Sequence, residues 1–318
     1  MSVSCFASLS ASLLLLILTV SQPSVCAEAV RSGLSLCLTR AVPSLFPFFV
    51  VSALAVRCGL ADALARLSAP LMRLYRLPAC GISALLLGLL GGYPTGAQTV
   101  SDLIAGGRCT GEDGARLIAF CNNTGPAFLV GMCGGGIFHS VRIGLFLYLT
   151  HLLSALALGF LFRGTNSSSA PPVSVPLARF SDCLTHAIVH AGTGMLNVCS
   201  FILYFSVLLS LLGSVGILSL LAGALSAVLP LPADLLCAVL TGGVELTNGL
   251  SLLASCAGSM RVRAAACAGL CAFGGLSVLF QSSSTAPAVP FSRIVLGKLL
   301  HAVLCTLLTA LLFPLCPL

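Results

Sequence analysis

The chain has 318 residues, of which 58% are hydrophobic and only 7% charged, with a formal net charge of +7. Soluble domains carry about 25% charged residues, so this composition excludes an ordinary globular domain and calls for a membrane. The positive charge does not point to nucleic acid, because the arginines stand at the ends of apolar runs and not among stacking aromatics.

In chain order, residues 1–27 read as an N-terminal transmembrane helix. The stretch is signal-like, with Val25-Cys26-Ala27 in the form of a cleavage site, but its start carries no Lys or Arg, which favours a retained helix. Residues 28–163 follow as one unit. It holds a spanning helix at about Ala29–Arg57, an Arg-rich amphipathic helix at Ala61–Arg76 and an apolar segment interrupted by glycines at Gly81–Gly106. A second interrupted segment at Gly111–Phe138 and a last spanning helix at Val141–Phe162 complete it. Residues 164–177 lie in the Ser- and Pro-rich stretch "RGTNSSSAPPVSVP", which cannot hold a helix and reads as a polar linker.

Residues 178–318 then repeat the order, with segments at Asp182–Leu212, Gly216–Leu229, Pro232–Gly258, Arg261–Ser283 and Arg293–Phe313. The two units align along their length. Gly59 pairs with Gly213, Gly92 with Gly243, Ala119-Phe120 with Ala272-Phe273, and Val141–Phe162 with Ser292–Phe313. Chance similarity of composition would not keep four landmarks in order at nearly constant spacing.

The breaks carry the functional information. Gly81–Gly91, as a helix, rises about 16 Å, half the hydrocarbon thickness. Joined through Gly92-Tyr93-Pro94-Thr95-Gly96 to a second half-length helix, it predicts a re-entrant hairpin whose tip sits near the bilayer midplane. Pro94 suits the first turn of the returning half-helix. In "FCNNTGPAFLV" (Phe120–Val130), Asn122 and Asn123 offer amides and Thr124 can cap a half-helix opened by Pro126. The second unit has its counterparts in "GGVELTNGL" (Gly242–Leu250) and "AFGGLSVLFQ" (Ala272–Gln281). Backbone unwound at that depth is tolerated only against protein or a water-filled cavity, and paired interruptions in two halves are the sequence pointer to a midplane binding site.

With hairpins that do not cross, each unit crosses three times, so the units are inverted. Arg57, Arg66, Arg73, Arg76, Arg108, Arg116, Arg163, Arg179 and Arg293 then share one face, and Arg31, Arg142, Arg261 and Arg263 the other, as the positive-inside bias requires. The expected fold is an all-α polytopic membrane protein of two inverted repeats, each with a re-entrant hairpin and a discontinuous transmembrane helix.

The candidate substrate-binding residues flank the breaks: Tyr93, Thr95 and Gly96 at the first hairpin tip, Asn122, Asn123 and Thr124 at the first broken helix, Glu245, Thr247 and Asn248 at the second hairpin, and Gly274, Gly275, Ser277 and Gln281 at the second broken helix. Glu245 is the only carboxylate expected near the midplane. It couples a proton or cation, bonds the substrate, or pairs with nearby backbone N–H groups. Tyr93 can stack on a planar ring or brace the tip. Each polar residue has the plainer alternative of satisfying broken backbone.

Nothing in the spacing suggests an enzyme, a cofactor or a metal. The 16 cysteines lie mostly in apolar runs without a Cys-x-x-Cys pair, and read as small hydrophobes. His186 and His190 share a helix face but lack a third ligand, Gly134-Gly135-Gly136 lacks the Lys of a phosphate loop, and no serine has a nucleophile-elbow context.

The stretches Glu28–Leu60, "LLGGYPTGAQTVSDLIAGGRCTGEDGARLIAFCNNTGPAFLVG" (Leu89–Gly131), "VELTNGL" and "FGGLSVLFQ" resemble the YlbJ (SpoVV) family of sporulation integral membrane proteins, within the wider nucleoside-recognition or gate-domain group. The resemblance covers nearly the whole chain after the first helix. It implies an architecture similar to concentrative nucleoside transporters and a part in endospore formation, where members are associated with moving dipicolinate across the forespore membranes. The chain departs from the family in one place: relatives often carry His-x-Gln where Leu279-Phe280-Gln281 stands here.

The function expected is a multi-pass transporter or facilitator of a small, anionic, dipicolinate-like solute in the cell or forespore membrane. The alternative is a non-transporting membrane scaffold or assembly factor in sporulation. The expected partners are the solute and the lipid bilayer, with no nucleic acid; self-association into a homo-oligomer is left open.

Overall fold

A computed structural model describes residues 3–58, 70–164 and 179–316; all but the first residue of the linker expected at 164–177 and most of the amphipathic helix at Ala61–Arg76 lie outside them. All regular structure among the described residues is helical. Four helices are long and apolar enough to cross a membrane: Val141–Leu161, Phe180–Ser214, Met260–Thr285 and Phe291–Leu315.

At the N-terminus, the helix Val3–Ser21 meets a second helical run at Pro23 with a 95° bend. The bend therefore falls at Gln22, before the boundary expected after Ala27. Pro23–Leu36, a π-helical turn at Cys37–Ala41 and Val42–Arg57 continue one another. This run packs along Phe180–Ser214, the first long helix of the second unit.

Two short helices, Gly81–Gly91 and Thr95–Ala105, fold back on each other as a hairpin. Pro94 is the residue before the returning helix, one position earlier than expected. Gly96 has a steric reason: a Cβ there would lie 2.3 Å from the carbonyl oxygen of Cys121, so the hairpin lies in backbone contact with the next element. That element is Gly111–Cys121, which opens on a capping box between Thr110 and Asp113. It breaks at residues 122–126 and resumes as a π-helical stretch, Ala127–Ile137, against the long helix Val141–Leu161.

The second unit repeats this order. Ala233–Val244 and Leu246–Leu253 form a tight hairpin with Glu245 between them. Met260–Phe273 and Gly275–Thr285 are separated only by Gly274, at φ +85°, and packing against the first of them runs the last helix, Phe291–Leu312. The two units interlock. One core cluster joins Phe128–Leu147 to the second hairpin and its neighbours, and another joins the first hairpin to Leu279, Val289 and Ile294.

Polarity is reversed relative to a soluble fold. On the last helix, Leu296, Leu299, Val303, Leu307 and Leu311 are exposed while Lys298, His301 and Thr309 are buried. On Val141–Leu161, Leu145, Leu149 and Leu153 are exposed while Thr150, His151 and Ser154 are buried. Apolar residues outward and polar residues inward suit hydrocarbon as the surrounding solvent.

Candidate functional site at the helix breaks

The breaks meet through hydrogen bonds that cross between the units. The Tyr93 hydroxyl, at the first hairpin tip, donates to the carbonyl of Cys271 at 2.7 Å, and the Thr124 hydroxyl donates to the same oxygen at 2.7 Å. Cys271 lies in the last turn of Met260–Phe273, where a helix leaves its carbonyls without intrahelical partners. Thr124 therefore ties the two breaks together; the helix after Pro126 has no side-chain cap, contrary to expectation. From the other side, Lys298 donates to the carbonyl of Asn122 and to the Tyr93 hydroxyl oxygen at 3.0 Å.

Two cavities adjoin this junction, with Phe49 lining both. The smaller, about 60 Å³, is lined by Tyr93, Thr124, Glu245, Thr247, Ser277 and Gln281 together with apolar residues of the run Cys37–Arg57 and of Phe180–Ser214. The larger, about 680 Å³, has Pro94, Thr95, Gln98, Thr99 and Asp102 of the returning half-helix on one side. Opposite stand Arg57, His186, His190, Asn197 and Ser200. Arg57 donates to Nε2 of His186 at 2.7 Å, and the rings of His186 and His190 lie stacked 6.1 Å apart, both exposed.

Seven of the thirteen sequence-selected residues thus line a cavity: Thr95 the large one, and Tyr93, Thr124, Glu245, Thr247, Ser277 and Gln281 the small one. Within that set, Gln281 is buried and its amide nitrogen has no protein partner. Glu245 is fully engaged: it accepts the backbone N–H of Thr247 at 3.1 Å, the backbone N–H of Asn248 at 2.7 Å and the side-chain amide of Asn248 at 2.8 Å. Its carboxylate is the N-cap of Leu246–Leu253 while still facing the small cavity.

The remaining residues of the set line neither cavity. Asn122 donates to Ser282 Oγ at 2.6 Å, Asn123 donates to the carbonyl of Phe120 at 2.7 Å, and both leave a buried side-chain oxygen without a partner. Asn248 donates to Ser206 Oγ at 2.9 Å. Gly96 provides the close approach to Cys121, and Gly274 and Gly275, both at positive φ, form the second break.

Sequence reasoning passed over six buried polar side chains, Lys298, His151, His301, Ser154, Thr150 and Thr309. Lys298 is 1% exposed. The His151 and His301 rings lie 4.5 Å apart; the backbone N–H of Thr124 donates to His151 Nε2 at 3.2 Å, and His301 Nε2 is 2.9 Å from Ser154 Oγ. Thr309 donates to the Thr150 hydroxyl at 2.8 Å. A signal for them existed: Lys298 is the only lysine in the chain, and 298, 301, 305 and 309 follow helical spacing along one face.

Folding also gathers ligand-type atoms that sequence spacing kept apart. The sulfurs of Cys133, Cys267 and Cys271 form one buried group, and His151, His301 and Cys305 another, each within 4.8 Å. In the second, His151 Nε2 is already an acceptor, so its other nitrogen carries the proton and is not free to bind a cation.

The chain is similar to the sporulation integral membrane protein YlbJ of Bacillus subtilis (strain 168), with 27% identity over 288 residues that cover 82% of this chain and 71% of that protein. No family model matches the chain, and no solved structure matches it. With this relative, and with four helices among the described residues long and apolar enough to cross a membrane, the chain is a multi-pass integral membrane protein.

Proposed function

We propose that this protein is a YlbJ-type transporter or facilitator of a small anionic solute in endospore-forming cells, with the solute held where the hairpin tip meets the two broken helices. The observation that carries the reading is the junction itself. Unwound backbone from both units converges on Tyr93, Thr124 and Cys271, beside a cavity into which the unpartnered Gln281 amide can donate. A scaffold would have no use for a buried, unsatisfied donor at that depth, since each such group is costly in hydrocarbon.

On this reading the two units are inverted repeats and the two short-helix pairs are re-entrant. The larger cavity is the vestibule, its wall including the first turn of Thr95–Ala105, the positive end of that helix's dipole, which favours an anion. Arg57 at its rim adds attraction. The similarity to YlbJ supports the sporulation setting, and the family resemblance makes dipicolinate the first solute to try.

The test is uptake of labelled dipicolinate, and of neutral solutes of similar size, into vesicles holding the purified protein. Saturable uptake that falls several-fold in Gln281→Leu, with protein recovery unchanged, is the expected result. Absence of both binding and uptake for every solute tried would leave the scaffold reading in its place.

A further inference from the structure

We propose that Lys298 is a tethered cation: its ammonium group occupies, at the C-terminal end of the first broken helix, the place that a free metal cation takes in transporters built on discontinuous helices. The protein then holds this junction together without Na⁺ or K⁺. The consequence for coupling rests on the transporter reading, whereas the site itself rests only on the contacts below.

Five observations converge. The chain spends its only lysine here, in the buried face of a mostly apolar helix; the register that pairs Arg142 with Arg293 puts Leu147 at the equivalent place in the first unit. A buried charge in a membrane helix is expensive and is kept for a partner or a task.

The groups that contact the amine are acceptors. Asn122 offers a backbone carbonyl. Tyr93 offers its oxygen at 3.0 Å and its ring face, whose centre is 4.3 Å from Nζ. The Tyr93 proton is committed to Cys271, so the oxygen presents a lone pair to Lys298. An ammonium has three donors and no lone pair, and it fits a surround of two oxygen acceptors and an aromatic face, the last of which attracts a cation.

The surround is also negative beyond those contacts. The helix Gly111–Cys121 ends here, so its last carbonyls lack intrahelical partners and carry the negative end of the helix dipole. The side-chain oxygens of Asn122 and Asn123 are buried and unpartnered. Their orientation is fixed: the Phe120 carbonyl can only accept, and Ser282 has given its proton to Val278 at 2.7 Å, so both amides must point their nitrogens at those partners.

No carboxylate among the described residues forms an ion pair with Lys298. Stabilisation by neutral carbonyl oxygens is how hard alkali cations are held, and the ends of unwound half-helices are where coupling ions sit in this class of architecture.

The position is also fixed in space. At Gly297 a Cβ would lie 2.7 Å from Ala119 Cα, so the last helix lies against Gly111–Cys121 in backbone contact and delivers the neighbouring residue to the break.

The test needs no transport. Thermal unfolding of the detergent-purified protein is followed with a thiol-reactive fluorogenic dye, for which the buried Cys121, Cys271 and Cys305 report opening of the site. The wild-type midpoint should be the same in NaCl, KCl and choline chloride at constant ionic strength. Lys298→Ala, purified in methylammonium chloride, should lose about 5 °C when transferred to choline chloride. Methylammonium or NaCl should restore it. Lys298→Met, which fills the space without charge, should be lowered and unresponsive to any cation.

Three results would overturn the inference: a wild-type midpoint that rises with Na⁺ or K⁺; a Lys298→Met protein as stable as wild type; or Lys298→Ala that shows no cation effect or cannot be recovered even in methylammonium. Uptake in reconstituted vesicles with and without a Na⁺ gradient is measured beside it. If the cation response holds and no solute is moved, the transporter reading fails and the tethered cation stands.

Discussion

Tyr93→Phe combined with Thr124→Val tests whether one carbonyl joins the two breaks. Both hydroxyls donate to the Cys271 oxygen at 2.7 Å, and the Tyr93 oxygen also receives Lys298 at 3.0 Å. Thr124→Val preserves shape and removes one donor, which costs about 1 kcal/mol because Tyr93 still satisfies Cys271. Tyr93→Phe keeps the ring over Lys298 but loses one neutral and one charge-assisted bond; the retained Thr124 and Asn122 contacts hold the cost to about 2–3 kcal/mol. In the double variant the Cys271 carbonyl is buried with neither hydroxyl, and the desolvation penalty of that group appears for the first time. The double variant should therefore exceed the sum of the singles by about 1–2 kcal/mol. Reversible unfolding in mixed micelles, titrated with a denaturing detergent, measures all four corners of the cycle. Additivity within about 0.5 kcal/mol would refute the shared-acceptor junction.

Other outcomes follow from single positions. Gly96→Ala should destabilise by about 1–3 kcal/mol, since its Cβ would meet the Cys121 carbonyl at 2.3 Å, while Gly131→Ala, with nothing within 4 Å, should be neutral or slightly stabilising in the same unfolding titration. Glu245→Gln should lower stability by about 1–2 kcal/mol, because an amide nitrogen cannot accept the N–H groups that the carboxylate now caps, and should leave the pH profile of uptake unchanged; loss of pH-driven accumulation at unchanged stability would make it a coupling residue instead. Single cysteines placed at Arg73, Gly107 and Ser168 on a cysteine-free background should label from the same side of the membrane. Gly107 reached only from the side opposite Arg73 would remove the re-entrant hairpin, and with it the inverted arrangement.

The breaks were legible because glycine and proline act locally. Gly81–Gly91 has the same bounds in the structure as in the sequence reading, and the interruption after Cys121 falls where Asn122 to Pro126 end the helical pattern. What the breaks bond to was not legible, since Thr124 and Tyr93 find Cys271 almost half the chain away and nothing in local spacing encodes that pairing. The same holds for Asn122 and Asn123. As residues beside a break they qualified for ligand contact, yet their amides turn to Ser282 and Phe120. Lys298 failed for a different reason. Its helix is so apolar that one charge hardly alters the average, and only the periodic run of Lys298, His301, Cys305 and Thr309 marks an inward face.

Placement of charge then bears on how an anion would move. The larger cavity is lined by Arg57 and the start of a half-helix, both favourable to negative charge, and also by the Asp102 carboxylate, whereas the smaller cavity holds the Glu245 carboxylate and no cationic side chain. Static passage from one to the other would set like charges together, with a repulsion of about 4 kcal/mol at 4 Å and an effective dielectric near 20. Tyr93 lines the smaller cavity while its ring face and oxygen cover Lys298, and the next residue, Pro94, lines the larger one. On the transporter reading, a displacement of Tyr93 away from Cys271 would do two things at once: it would open the junction between the units and present the Lys298 ammonium to the solute. Opening and charge compensation would then be one motion, and that gives a physical reason for placing the only lysine behind a tyrosine and outside the cavity wall.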